Sequence, residues 1–181
     1  LGVSKYSMMV GSSVTFNAQA FVDGKVYDKA LTWSVLGADA EKYELSANGK
    51  QAMFKAKNTG YYTIEAKNDL ASATCVIKVL TATAKRADTP TVSIENCEVL
   101  KWNTVNGINT YEVFIDGQGT KMVTGNTINI SDFVSAQSLP YGSTLKVLVK
   151  AIAENNFDYI DSYYSLPITR NSIAVLHIIF I

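Results

Sequence analysis

Apolar and polar residues alternate with a period of two along most of this chain. The runs are five to eight residues long, and Gly, Asn or Asp separates them. Residues 14–20 are one example, with an apolar side chain at every second position. Because successive side chains of a β-strand point to opposite faces, this alternation predicts half-buried strands. No convincing amphipathic helix pattern accompanies it, so the sequence predicts an all-β fold.

In the first half, strands are predicted at residues 14–20, 31–35, 51–56, 60–66 and 73–79. Asp23-Gly24 and Asn48-Gly49 separate some of them, and these pairs tolerate the positive φ angles that tight turns need. Antiparallel β-sandwiches show this spacing of strands and turns. The side chains expected in the core of this half are Phe16, Trp33, Phe54 and Ile64.

In the second half, strands are predicted at residues 91–94, 99–102, 111–115, 127–130, 145–151 and 163–168. The last of these is expected at a sheet edge, because Pro167 has no N–H to donate to a neighbouring strand. The core of this half is expected to contain Trp102, Val113, Val147 and Val149.

The chain has 181 residues, which is enough for two small sandwich domains. Residues 81–89 are small, polar and without periodicity, and Pro90 follows them. We therefore expect one domain at residues 1–82, a linker at 83–89 and a second domain at 90–171. The apolar tail, residues 172–181, does not fit this plan. It could add a strand to this domain or to a neighbouring chain, begin a longer apolar segment, or be foreign to the domain.

Motifs of the first half occur in a recognisable order: VGSSVTF at 10–16, LTWSV at 31–35, NGK at 48–50 and GYYTIEA at 60–66. In this order they resemble the bacterial immunoglobulin-like (Big-type) domains of surface proteins and phage virion proteins. The resemblance covers roughly residues 2–82.

Motifs of the second half are LKW at 100–102, YEVFIDG at 111–117 and LPYGSTL at 139–145. They resemble a bacterial fibronectin type III domain over roughly residues 89–170. The chain departs from that family at Leu145, where a corner tyrosine is frequent. The two resemblances imply tandem immunoglobulin-like antiparallel β-sandwiches, a fold used for spacers, adhesion elements and binding platforms.

Charge excludes one class of partner. The chain has 16 basic and 16 acidic residues, and neither half has the basic excess that binding to a phosphate backbone needs. Nucleic acid is therefore not an expected partner. No stretch of about 20 apolar residues is present, so no membrane-spanning helix is expected.

Residues that could support catalysis are scarce. The single histidine, His177, lies in the apolar tail, and Cys75 and Cys97 fall in different predicted domains, where unpaired thiols are expected. Neither a catalytic site nor a cofactor is predicted. The closest arrangement to a metal site is Asp158 with Asp161, a weak calcium candidate whose alternative is a solvated loop.

Aromatic residues are most concentrated in the same segment, at Phe157, Tyr159, Tyr163 and Tyr164. Exposed rings of this kind can stack on sugars or anchor a protein contact. The alternative is that they cover strand edges and the domain junction.

The leading hypothesis is a non-catalytic tandem module of a bacterial cell-surface or secreted protein, acting as a spacer or an adhesion platform. A structural part of a phage virion and an accessory domain of a carbohydrate-active enzyme are the alternatives. The expected partners are neighbouring domains of a larger polypeptide and a protein or glycan ligand. Oligomers could form through the C-terminal apolar strand.

Overall fold

A computed structural model describes residues 5–96, 98–132 and 144–171. The chain divides into two compact units, Leu1–Ala84 and Lys85–Ile181. In the described residues the regular structure consists of β-strands and two 3-10 turns, Ala40–Lys42 and Ile130–Asp132. No helix in this part of the chain has the length and apolarity to cross a bilayer. The all-β prediction is confirmed.

From residue 5 onward, the first unit forms nine strands: β1 Lys5–Met9, β2 Ser13–Asn17, β3 Ala20–Val22, β4 Lys25–Tyr27, β5 Thr32–Leu36, β6 Tyr43–Asn48, β7 Gln51–Ala56, β8 Gly60–Lys67 and β9 Ser72–Leu80. They form a four-stranded sheet in the order β1-β9-β8-β5, a three-stranded sheet β2-β7-β6 and a two-stranded ribbon β3-β4. Pairing is antiparallel except between β1 and β9, which run parallel.

Both sheets of the first unit contribute to one core. Phe54 from β7 and Ile64 from β8 are buried in it. Phe16 and Trp33 are only half-buried and pack against its margin, and the indole N–H of Trp33 donates to the Gly49 carbonyl at 3.0 Å. Period-two alternation identifies the inward face of a strand, but it does not show how near each residue lies to the rim.

The ribbon turn follows the sequence expectation. Asp23 and Gly24, which join β3 to β4, have φ angles of 47° and 73°. Two consecutive positive φ angles are characteristic of the type I′ turn, whose twist suits a two-residue hairpin.

The described residues of the second unit also form nine strands: β10 Lys85–Arg86, β11 Val92–Glu95, β12 Val99–Trp102, β13 Thr110–Ile115, β14 Gly119–Thr124, β15 Thr127–Asn129, β16 Thr144–Ile152, β17 Tyr159–Ile160 and β18 Ile168–Asn171. One sheet has the order β11-β12-β15, and the other has the order β14-β13-β16-β18. The short strands β10 and β17 pair in parallel. Trp102, Val113, Val147 and Val149 lie in the shared core.

A buried tyrosine closes the loop between β12 and β13. The Tyr111 hydroxyl accepts a hydrogen bond from the Val105 N–H at 2.9 Å and donates to the Ile108 carbonyl at 3.3 Å. Its ring packs against Trp102 with the two centroids 5.4 Å apart. The loop thereby becomes part of the core.

Several segments differ from the sequence expectation. The strand predicted at 14–20 ends at Asn17, and strands β1 and β6 were not predicted. Two further differences concern the expected linker and the last strand. Within residues 83–89, expected as a linker, Lys85–Arg86 form β10, and the Ala87 N–H donates to the Ile160 carbonyl at 3.0 Å. The final strand, expected at 163–168, is instead Ile168–Asn171. Both segments are held by backbone or hydroxyl hydrogen bonds. Such bonds require no alternation of apolar and polar residues, so the sequence pattern does not reveal them. Residues 139–143 of the LPYGSTL motif lie outside the described residues, as do Cys97, His177 and the tail.

Candidate binding surface

Residues 161–167 lie beside the end of β16, where two serines take the place of a regular ladder. The Ser162 N–H donates to the Ala151 carbonyl at 3.0 Å, and the Ala151 N–H donates to Ser162 Oγ at 2.9 Å. Ser165 repeats this exchange with Val149, at 2.8 Å and 3.1 Å. Each serine therefore makes two hydrogen bonds to one residue of β16, one through its backbone and one through its hydroxyl.

The spacing of the serines creates a bulge. Ser162 and Ser165 are three positions apart, whereas their partners Ala151 and Val149 are two positions apart. Extra residues on one strand bend it away from its neighbour. The serines are only 2% and 5% exposed, and their hydroxyls donate onward to the carbonyls of Tyr163 and Leu166. Each serine hydroxyl therefore both accepts and donates a hydrogen bond.

Three apolar or aromatic side chains project from this bulged edge. Tyr163 is 67% exposed, Tyr164 is 41% exposed and Leu166 is 88% exposed. We call these three residues the edge patch. Since Ser162 and Ser165 anchor the backbone on either side of the two tyrosines, the tyrosines stand on a fixed edge of the sheet.

Two cations support the tyrosines of the edge patch. The guanidinium carbon of Arg86 lies 4.3 Å from the ring centroid of Tyr163. The Lys150 ammonium lies 5.8 Å from the centroid of Tyr164. A cation within about 6 Å of a ring is attracted to its face. Asp161 holds both cations: its carbonyl accepts from Arg86 at 2.8 Å, and its Oδ2 lies 3.4 Å from the Lys150 ammonium.

The phenol of Tyr164 is tied across the sheet to β13. Its hydroxyl donates to Oε1 of Glu112. This hydrogen bond, with burial and the negative charge of Glu112 as smaller causes, raises the pKa of Tyr164 to about 12. Tyr164 is therefore a neutral, oriented phenol at physiological pH.

Phe157 and Tyr159 occupy a different environment from the edge patch. Both are half-buried, and Tyr159 lies in β17 and packs against the core of the second unit. The Lys85 ammonium lies 5.7 Å from the Tyr159 centroid, and the Asn156 side-chain amide donates to the Gly107 carbonyl at 2.9 Å. Of the four aromatic residues predicted to bind a ligand, Phe157 and Tyr159 are therefore half-buried, whereas Tyr163 and Tyr164 are exposed.

The two aspartates proposed as calcium ligands make protein contacts. Asp161 Oδ1 accepts from the Ala153 N–H at 2.9 Å, while Oδ2 faces Lys150. The Asp158 carbonyl accepts from the Lys85 N–H at 3.1 Å. Among the described residues, no group of three or more His, Cys, Asp or Glu is placed to hold a metal ion. The geometry favours a structural role for Asp161.

Four residues of this surface escaped the sequence analysis: Arg86, Ser162, Ser165 and Leu166. Arg86 belonged to the expected linker, and buried serines have no hydrophobic signal. The only available sign was the Ser-x-x-Ser spacing before Pro167. That spacing is meaningful only when the register with β16 is known.

The strand order defines the fold of each unit. Both units are immunoglobulin-like β-sandwiches. No family model matches the chain, and no curated protein does.

Solved structures with a similar fold include domains A168–A170 of titin, with 16% identity and a TM-score of 0.34 over 93% of this chain. The chain spans 62% of the length of that titin structure. The D0-D1 domain of intimin has 12% identity and a TM-score of 0.39, covering 94% of this chain and 95% of that one. The central fibronectin III array of RIM-binding protein has 12% identity and a TM-score of 0.32, covering 91% of this chain and 61% of that one. At this level of similarity, nothing about ligands transfers to this chain.

Proposed function

We propose that this chain is a non-catalytic binding and spacer module whose ligand contacts the edge patch of the second unit. The observation that carries the proposal is the pair of tyrosines fixed on a sheet edge by buried serines and backed by cations. Tyr163 and Leu166 are two of the most exposed large hydrophobic side chains of the described chain, at 67% and 88%.

Physical chemistry favours such a surface for recognition. Tyrosine offers a large apolar face and a polar hydroxyl, and it is enriched at binding hot spots. A side chain that is already immobilised loses little conformational entropy when a ligand binds. The Arg86 guanidinium covers one face of Tyr163, which leaves the ring edge and the opposite face for a sugar ring or a protein side chain.

The proposed setting is a bacterial cell-surface or secreted protein in which neighbouring domains flank this module. The motifs at residues 10–16, 31–35 and 60–66 support this setting through their resemblance to bacterial immunoglobulin-like domains. The full-length gene tests it directly. A signal peptide with a wall or membrane anchor is the expected result, whereas neighbouring tail or capsid genes would point to a virion part.

Ligand binding is tested with a glycan array and with the neighbouring domains of the full-length protein as probes. We expect Tyr163→Ala and Tyr164→Ala to reduce the signal on the same probe, at least tenfold for a loss of about 1.4 kcal/mol. Tyr61→Ala is the matched control, because Tyr61 is a tyrosine of the first unit with 45% exposure. Binding that survives both edge-patch substitutions, or no binding to any probe, would refute the proposal.

A further inference from the structure

The strand edges of the second unit differ in their protection against pairing with other chains. An exposed edge is a template for added strands unless it is short, bulged, charged or interrupted by proline. The bulge at Ser162 and Ser165, together with Pro167, protects the β16–β18 side. Strand β11 has four residues and begins two positions after Pro90, and β15 has only three residues.

Strand β14 is longer and more regular than these edges. It has six residues, Gly119–Thr124, and no proline. Among the described residues only β13 pairs with it, and that ladder is continuous from Thr110↔Thr124 to Ile115↔Gly119. Every residue of β14 is exposed except Val123, which is half-buried. Its outer side is therefore accessible to another strand.

The register shows which backbone groups of β14 face away from the sheet. The Gly125 N–H donates to the Asn109 carbonyl at 2.9 Å. Since hydrogen-bonded pairs alternate along an antiparallel ladder, Val123 and Lys121 also bond to β13. The outward row of backbone N–H and C=O groups therefore belongs to Thr120, Met122 and Thr124.

The outward row ends where the chain leaves the edge. The Asn126 carbonyl accepts a hydrogen bond from the Trp102 N–H at 3.0 Å, and the Asn126 side-chain amide donates to the Trp102 carbonyl at 3.0 Å. These bonds direct the chain away from β14 and toward β12. The accessible row is therefore centred on Met122, with one threonine two positions away on each side.

We propose that β14 pairs antiparallel with β14 of a second copy of this chain, across a twofold axis at Met122. In this register Met122 faces Met122 of the second copy, and Thr120 faces Thr124. Every outward N–H and C=O group of both rows then has a partner. A register shifted by two residues would leave one residue of each row unpaired. The two four-stranded sheets become one continuous sheet.

The side chains of β14 suit a second copy because their order is symmetric. The outer face of the sheet carries the same series from either end: Thr120, Met122 and Thr124. Threonines that face each other across strands are a favourable pair.

The single charge of β14 does not oppose this pairing. On the inner face Lys121 falls opposite Val123 of the second copy, so no like charges lie directly opposite each other. The Lys121 ammonium donates to the Asp132 carbonyl of its own unit at 3.1 Å, which holds it away from the twofold axis.

The test is sedimentation velocity on the full chain at concentrations up to about 1 mM, because an interface below about 1,200 Å² is typical of weak complexes. We expect the wild type to associate as concentration rises. Met122→Lys and Met122→Glu each place two like charges opposite each other, so each should raise the dissociation constant about tenfold or more. An equimolar mixture of the two variants should associate again, because opposite charges then face each other.

Met53→Lys is the matched control. Met53 is 48% exposed and lies on β7, the central strand of the β2-β7-β6 sheet, so this variant should associate like the wild type. Circular dichroism and thermal melting establish that each variant is folded. Tyr163→Ala should also associate like the wild type, which separates this contact from ligand binding by the edge patch.

Three results would overturn the proposal. The first is a wild type that stays monomeric at every concentration. The second is association of both Met122 variants that equals the wild type, or a loss of association in Met53→Lys that equals theirs. The third is a mixture of Met122→Lys and Met122→Glu that stays monomeric, because the twofold register at Met122 requires these two residues to face each other.

Discussion

The hydroxyl of Ser165 offers a sharp test of how the edge patch is held in place. It accepts a hydrogen bond from the Val149 N–H at 3.1 Å and donates to the Leu166 carbonyl at 3.0 Å. Val149 is fully buried in the core of the second unit. The substitution Ser165→Ala therefore leaves a buried N–H without an acceptor, while the volume of the side chain changes little.

A buried donor left without a partner costs about 1–3 kcal/mol. Ser162→Ala has the same effect on the Ala151 N–H, because that N–H donates a hydrogen bond to Ser162 Oγ at 2.9 Å. The two bonds involve different residues of β16, so the double substitution should cost about the sum, roughly 2–6 kcal/mol. Since domains are stable by only about 5–15 kcal/mol, the double variant approaches unfolding of the second unit.

Amide hydrogen exchange and urea unfolding measure the effect. Exchange at Val149 should accelerate in Ser165→Ala, and exchange at Ala151 should accelerate in Ser162→Ala. A loss of 2 kcal/mol should lower the urea midpoint by about 1 M without a change in slope.

The control is Ser93→Ala, which removes an exposed hydroxyl that donates to the Lys101 carbonyl at 3.3 Å. Its effect should stay within about 0.5 kcal/mol. If Ser165→Ala is as mild as this control, the hydroxyls do not replace the ladder and the reasoning fails.

Two further predictions concern the loops and pH. Gly107→Ala should destabilise the second unit by about 2 kcal/mol, because φ is positive there and the new Cβ would lie 2.9 Å from the Asn156 amide nitrogen. The control is Gly117→Ala, where φ is also positive but the space around the new Cβ is open, so its cost in urea unfolding should be only about half as large. Equal costs would contradict the argument from the Asn156 contact. Tyr164 has a pKa of about 12 when folded and about 10 when unfolded, so its stabilising bond to Glu112 is present below pH 10 and is lost as pH rises to 12. Between pH 10 and pH 12, the difference in urea midpoint between the wild type and Tyr164→Phe should shrink. The difference should be small throughout, because the side chain is partly exposed. A difference that stays constant with pH would refute the hydrogen bond from Tyr164 to Glu112.

Much of the fold was accessible from alternation alone. In β7 and β8 every second residue is buried, including Phe54 and Ile64, and these are the residues that the alternation places inward. The same holds for Trp102 and Val113 in the second unit. Alternation succeeds there because each strand has one face in the core, and the hydrophobic effect then selects every second residue.

Alternation fails where hydrogen bonds replace burial as the organising interaction. Lys85–Arg86 join the second unit through backbone hydrogen bonds to residues 158–160. Since backbone groups make this pairing, the identity of the two side chains does not predict it. Ser162 and Ser165 are buried although serine is usually a surface residue, because their hydroxyls satisfy the N–H groups of β16. From the sequence, the candidate binding residues could be narrowed to Phe157, Tyr159, Tyr163 and Tyr164. The alternation could not show that Tyr163 and Tyr164 are exposed whereas Phe157 and Tyr159 are half-buried.

The two edges of the β14-β13-β16-β18 sheet present opposite kinds of surface. On the β16–β18 side, the backbone N–H and C=O groups of Ala151 and Val149 are hydrogen-bonded to Ser162 and Ser165. A ligand at this edge would therefore contact side chains such as Tyr163. On the β14 side the backbone groups of Met122 and its alternate neighbours remain free of the ladder with β13. Side chains on a fixed edge can discriminate between ligands, whereas a row of backbone groups binds an extended strand with little regard to its sequence. The proposed ligand contact at the edge patch should therefore depend on side-chain identity, which the substitutions Tyr163→Ala and Tyr164→Ala test.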